Sequence, residues 1–417
     1  MSAPAALARR LGTGEAVVIG LGSMIGAGIF SAFSPAAEAA GSGLLIGLAL
    51  AGAVAFCNAV ASAQLAAQYP TSGGTYVYGR ERLGEWWGYL AGWGFVVGKT
   101  ASCAAMALTF AAYAVSGPVW AERLVAALAV LALTAVNLRG ITRTAALASV
   151  LVALSVAALL VVVGVVVGSG EASSTHLDDW LSGGVYGVLQ SAGLLFFALA
   201  GYARIATLGE EVREPERTIP RAIVGAFGAT LVLYTVVGVA ALAAVGPEVL
   251  AASREPLAAA VDGVGAAWAL PVVRVGAAVA SLGALLALIA GIGRTGLAMA
   301  RNGDLPRRLA AVDPRHQVPH HAELAVAAAV LVLVLTTDLR GAIGFSSFGV
   351  LTYYAVANAA AFTQEPERRR WPRALNVAGL AGCVVLVATL PLASVLAGVV
   401  VLAVGLAGRA VAQTRER

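Results

Sequence analysis

Apolar residues run through this 417-residue chain in blocks of about twenty, divided by short stretches that hold most of its arginines and acids. An α-helix needs about 20 apolar residues to cross a ~30 Å hydrocarbon layer, and inside that layer only helices or closed barrels satisfy the backbone. The blocks predict twelve transmembrane helices, at approximately residues 14–40, 43–68, 85–115, 121–138, 143–168, 184–210, 219–246, 271–300, 319–337, 340–363, 373–389 and 391–408. The expectation is an all-α integral membrane protein of about 12 transmembrane helices, with tails at residues 1–13 and 409–417. The opening MSAPAALARRLGTGE carries no cleavable signal pattern, because the apolar stretch after it is long and lacks a small-residue cleavage site.

Two blocks are interrupted. The first contains GLGSMIGAGIF (Gly20–Phe30), with glycines at 20, 22, 26 and 28. Each costs about 1 kcal/mol relative to alanine in a helix interior. A segment that only crosses lipid gains nothing from them, whereas one that unwinds at mid-membrane to offer backbone groups to a solute needs this composition. The sixth block contains FFALAGYARIATLGEE, where Gly201 and Arg204 break the apolar run. Five spans separate the interruptions, which predicts two five-helix repeats, 14–168 and 184–363, followed by two further helices at 373–408. The repeats would be inverted, because an odd helix count reverses direction. A broken helix presents N–H donors at the start of its second half, suited to a carboxylate, and C=O acceptors at the end of its first, suited to an ammonium. Two breaks side by side make a site for a zwitterion, which points to amino acids. The competing reading of the glycines is close helix packing in the small-xxx-small manner.

Charge fixes an orientation. With both termini inside, twenty-one arginines fall in cytoplasmic segments and four, Arg123, Arg254, Arg274 and Arg340, fall outside. That is a strong positive-inside bias, and it places the chain in a cell membrane with both termini cytoplasmic. Only 12% of residues are charged and 59% are hydrophobic, at a mean hydropathy of +0.86, against roughly 25% charged in soluble domains. The net charge of +5 follows the topology, so it is no argument for nucleic acid. No phosphate-binding loop, HExxH or nucleophile elbow is present, and the expectation is no enzyme, no cofactor and no metal. Cys57, Cys103 and Cys383 lie within apolar blocks and read as packing residues; His176, His316, His320 and His321 have no metal-ligand spacing. The loops EEVREPERTIPRA and ARNGDLPRRLAAVDPRH mix both signs and read as gate-side surface, with anionic lipid as a weaker alternative.

Four stretches in order carry a resemblance: GSMIGAGIF (Gly22–Phe30), YPTSGGTYVY (Tyr69–Tyr78), FFALAGYARIATLGEEVREPERTIPRAI (Phe196–Ile223) and GRTGLAMARNGDLP (Gly293–Pro306). The chain resembles the amino acid–polyamine–organocation permeases, and they extend over spans 1 to 8. The resemblance implies the leucine-transporter type of fold (LeuT-type), a 5+5 inverted repeat, here with two C-terminal helices added. It further implies that Ala27 and Gly28 offer N–H groups to a substrate carboxylate, with Gly26 allowing the turn. Met24 and Ala200 would offer carbonyls to the amino group, with Ile25 and Gly201 inside the same two breaks. Phe197 would gate the ligand, and Ser281 would lie where sodium-coupled relatives bind the ion. The chain departs from the pattern in two places. Ala203 and Arg204 stand where many relatives have an acid, and Ser155 stands where some proton-coupled relatives have a lysine.

Lys99 is the single lysine, mid-span in GWGFVVGKTASCAAMAL. An ammonium at the bilayer centre costs about 2.5–3.5 kcal/mol and is a functional-site hypothesis by default. The alternative is a lysine that snorkels or pairs with a structural acid, but Lys99 lies about fourteen residues into its span and no acid is centrally placed in any span. The resemblance places it near the side-chain end of the ligand, where it either takes up a proton during the cycle or meets an anionic part of the substrate. Arg204 reads as a structural arginine bonding freed carbonyls or Glu210 and Glu211. Two intramembrane cations disfavour a cationic ligand. The expected function is a secondary permease for neutral or anionic amino acids, proton-coupled or exchanging, surrounded by lipid and of open oligomeric state. A cationic amino acid or polyamine antiporter is the first alternative, and a channel or a non-transporting sensor the next.

Overall fold

The computed structural model describes residues 11–70, 73–140, 145–206 and 212–415. Seventeen α-helices lie among them. The first part holds α1 (Thr13–Met24), α2 (Ala27–Ser31), α3 (Phe33–Ala40), α4 (Leu44–Gln68), α5 (Thr75–Leu83), α6 (Glu85–Ala114), α7 (Val119–Leu138) and α8 (Ala145–Ser169). The second holds α9 (Gly184–Leu199), α10 (Ala203–Ala206), α11 (Pro215–Ala252), α12 (Pro256–Gly263), α13 (Leu270–Arg301), α14 (His320–Thr336) and α15 (Leu339–Phe362). Helices α16 (Arg373–Thr389) and α17 (Leu392–Arg415) close the chain. Beyond the helices, the described residues form a single isolated bridge, between Leu11 and Val212.

Among the described residues, helix falls within each of the twelve predicted apolar blocks. Nine helical stretches among the described residues are long and apolar enough to cross a membrane, and α14 and α16 are shorter apolar helices. The all-α membrane architecture expected from the hydropathy is therefore present. The outer surface is apolar, as lipid requires: Leu124, Leu128 and Leu131 recur at helical spacing along one exposed face of α7. Two boundaries differ from the sequence reading. Helix α17 continues to Arg415, so Arg409, expected in a tail, lies on a packed helix and is buried. Helix α11 runs past the predicted end of its block through a kink at Gly246, whose φ of 76° is open to glycine and costly for other residues.

Helix α6 is the interior strut and packs most extensively against α15 and α13. Its approach to α15 is nearly backbone to backbone: a β-carbon on Gly349 would stand 2.6 Å from the Gly94 carbonyl oxygen and 2.7 Å from Gly98 Cα. Gly94 and Gly98 form a G-xxx-G pair, the small-residue device that lets membrane helices close on each other. Ser102 and Ser346 join the same two helices through their hydroxyls at 2.6 Å. This close seating carries Lys99, one residue beyond Gly98, into the interior.

Candidate functional site

The first span breaks as its glycines predict. Helix α1 ends at Met24; Ile25 takes φ −77° and ψ 75°, and Gly26 is extended at φ −120° and ψ −150° before α2 begins. The Gly26 N–H bonds back to the Met24 carbonyl at 2.8 Å, an inverse γ-turn centred on Ile25. Gly26 has no positive φ, so its missing side chain serves packing: a β-carbon there would meet Ala284 Cβ at 3.0 Å. Helix α2 continues into α3 through Ala32, which stays in the right-handed helical region. Ala27 and Gly28 are its first positions, whose N–H groups have no acceptor within the helix.

The sixth span weakens without becoming extended. Helix α9 stops at Leu199, and Ala200–Tyr202 tighten into a 3₁₀ turn before α10. Closing 3₁₀ bonds in place of α bonds frees carbonyls at the end of α9. The two breaks touch. A β-carbon at Gly201 would lie 2.2 Å from the Ser23 carbonyl oxygen and 2.6 Å from Met24 N, and one at Gly28 would lie 2.6 Å from Ala198 Cα. Glycine at both positions is what lets the backbones meet.

The carbonyls freed at the breaks already have donors. Met24 accepts from the Tyr234 hydroxyl at 2.6 Å as well as from Gly26 N–H. Ala200 accepts from Lys99 Nζ at 3.3 Å and from the Tyr354 hydroxyl at 3.4 Å. Lys99 is 8% exposed, and the bond to Ala200 crosses from α6 to the α9 break. The structure thus brings Met24, Ile25, Gly26, Ala27, Gly28, Lys99, Ala200 and Gly201 together. Phe197 is buried on the last turn of α9, next to this group.

The remaining predicted residues stand at the margin. Ser281 is fully buried on α13, and its hydroxyl has no hydrogen-bond partner among the described residues; Ala280 and Ala284, on either side of it, border Gly26. The Ser155 hydroxyl bonds to its own helix at the Leu151 carbonyl, 2.8 Å away. Arg204 is half-buried on α10 and is not without a partner, while Glu210, Glu211 and Arg143 lie outside the described residues. Among the described residues no cluster of three acids, histidines or cysteines could hold a metal ion.

Both ends of the helix assembly carry polar clusters that the sequence reading missed. At one end Arg340, at the start of α15, pairs with Glu38 of α3 and donates to the Gln190 side chain at 3.1 Å. A cavity of about 290 Å³ opens beside this pair, lined by Ser34, Leu108, Ala112, Ala251 and Asp338 among others. At the other end the buried Asp304 carboxylate accepts from Arg80 at 2.9 Å, Arg409 at 2.8 Å and the Tyr76 hydroxyl at 2.6 Å. Arg409 stacks over Trp86 and Tyr89, with 4.5 and 5.1 Å to the ring centroids. The ARNGDLPRRLAAVDPRH stretch, read as gate-side surface, contributes Asp304, the centre of this network. Tyrosines inside apolar blocks, Tyr234 and Tyr354, were the signal for the other missed groups.

A helical membrane protein whose interior centres on two touching helix breaks is built as a transporter. The chain belongs to the amino acid permease family, which it matches over residues 11–415, within the amino acid–polyamine–organocation superfamily. It is 60% identical over 406 residues to an uncharacterized transporter of Mycobacterium bovis, covering 97% of this chain and 91% of that one. A branched-chain amino acid permease of Bacillus subtilis is 24% identical over 395 residues, covering 90% and 84% of the two chains. Cationic amino acid transporter 7 of Arabidopsis thaliana, a chloroplastic protein, is 27% identical over 374 residues, covering 84% and 64%.

Proposed function

We propose that this chain is a secondary transporter that moves amino acids across a cell membrane by alternating access, with both termini in the cytoplasm. The observation that carries the reading is the contact between the two helix breaks, Gly201 against Ser23 and Met24. Backbone donors at Ala27 and Gly28 hold the substrate carboxylate. Phe197 covers the ligand. The repeats 14–168 and 184–363 rock against each other around this site, and α16 and α17 brace the second repeat. The Arg340–Glu38 pair then belongs to the outer end and the Asp304 network to the cytoplasmic end.

Two of the relatives reported above are named for branched-chain and for cationic amino acids, so the family alone leaves the side-chain preference open. Lys99 and Arg204 in the interior favour neutral or anionic substrates, because like charges repel strongly where water is scarce. Movement is proton-coupled or by exchange, with Lys99, Arg204, Ser155 and Ser281 as the candidate coupling residues. The test is uptake of each amino acid by proteoliposomes, with and without a pH gradient. Saturable uptake of a neutral or acidic amino acid supports the reading; saturable uptake of arginine or putrescine alone replaces it with a cationic antiporter.

A further inference from the structure

A ligand ammonium at a helix break needs carbonyl lone pairs to accept its protons. Each carbonyl oxygen has two. At Met24 both are taken, by the Tyr234 hydroxyl at 2.6 Å and the Gly26 N–H at 2.8 Å. At Ala200 the donors are the Tyr354 hydroxyl at 3.4 Å and Lys99 Nζ at 3.3 Å. One of these four donors is itself an ammonium, carried in from α6 on a buried side chain. We infer that Lys99 is the chain's own substitute for the ligand's ammonium, and that the site takes small carboxylic acids whether or not they bear an α-amino group.

The inference rests on the carboxylate-binding reading of the site given above. An ammonium has three donors and no acceptor. Among the described residues the Ala200 carbonyl is the one hydrogen-bond partner of Lys99 Nζ, so two further donors remain for an acceptor that a ligand brings. A carboxylate or an α-hydroxyl supplies such an acceptor, and an α-ammonium does not. An amino acid also sets a second cation beside Lys99, and that repulsion offsets whatever its amine gains. Lys99 is therefore a specificity-determining residue that makes the site indifferent to the α-amine.

The experiment is calorimetric binding to the purified full-length protein of three matched pairs: L-alanine with L-lactate, L-leucine with its α-hydroxy counterpart, and L-glutamate with its α-hydroxy counterpart. Wild type is expected to bind the hydroxy acid of a pair at least as tightly as the amino acid. Lys99→Met frees the Ala200 carbonyl and is expected to favour the amino acid by about tenfold or more. Lys99→Gln keeps a donor for the Ala200 carbonyl but removes the charge, and is expected to shift the preference toward the amino acid by less than Lys99→Met does. A wild-type preference of about tenfold or more for the amino acid overturns the inference by itself, even if Lys99→Met fails to fold. Equal discrimination in wild type and Lys99→Met also overturns it. Binding of amino acids alone leaves the proposed transport function standing, whereas binding of no member of any pair removes that function and the inference with it.

Discussion

Gly201→Ala tests whether the two breaks have to touch. A methyl group at 201 would stand 2.2 Å from the Ser23 carbonyl oxygen, 2.4 Å from Ser23 C and 2.6 Å from Met24 N. Non-bonded carbon contacts settle at about 3.5–4.0 Å, so the 3₁₀ turn and the end of α1 must part by about 1 Å. The atoms met are backbone, which cannot rotate aside as a side-chain tip would. Overpacking of this kind costs about 1–3 kcal/mol, and a displacement of about 1 Å in a ligand-positioning group costs on the order of 100-fold in rate. The assay is initial uptake by proteoliposomes at matched protein content, with thermal unfolding in detergent measured alongside. The variant should remain folded and lose about 30-fold or more in transport efficiency. Gly228→Ala on α11 is the control: nothing lies within 4 Å of its β-carbon position. It should transport normally and gain up to about 1 kcal/mol from helix propensity. Gly201→Ala transporting within about threefold of wild type would refute the reasoning.

Three further expectations follow from the ends of the molecule. Asp304→Asn leaves the Arg409 guanidinium, whose side chain is 2% exposed, with Glu85 at 3.5 Å and two aromatic faces in place of its main partner. It should cost about 3 kcal/mol, and adding Arg409→Met should recover much of that, read by thermal unfolding of the single and double variants. Arg340→Gln unties α15 from α3 at a partly exposed pair, so stability should change by no more than about 1 kcal/mol. Thiol labelling of a cysteine placed at Leu108, in the adjoining cavity, should nevertheless become faster; the three native cysteines are buried and give little background. Burial raises the Glu255 carboxyl above its ordinary value, against the pull of Arg274 at 3.2 Å. An acid with a raised folded pKa contributes stability on the acid side of its ordinary value and loses it as pH rises through the folded value. Glu255→Gln should therefore remove part of the decline in unfolding temperature over that rise.

The spans were legible because lipid imposes one length and one polarity on every helix, and no tertiary knowledge is needed to read them. The break at Met24–Ala27 was legible for a related reason: four glycines within three turns weaken a helix, although at each of them the missing side chain also makes room for a neighbour. What those glycines meet was hidden. The family resemblance implied Gly26 as a turn residue, yet its φ of −120° is open to any side chain, and the constraint comes from Ala284 on a helix some 250 residues away in sequence. Lys99 was visible as a buried cation, but its acceptor was not, because the Ala200 carbonyl is freed only when the sixth span tightens into a 3₁₀ turn. Arg409 and Asp304 were read as loop charges because hydropathy marks a charge as the end of a span. The helix α17 continues through that mark when a buried partner receives the charge.

Counterflow measures the central claim most directly: reconstituted protein preloaded with unlabelled substrate, challenged with a trace of labelled substrate outside. A carrier built around one alternately exposed site predicts saturable entry that internal substrate accelerates. Gly201→Ala should lower that entry, and Gly228→Ala should leave it unchanged. Flux that rises linearly with concentration and ignores internal substrate would contradict the account.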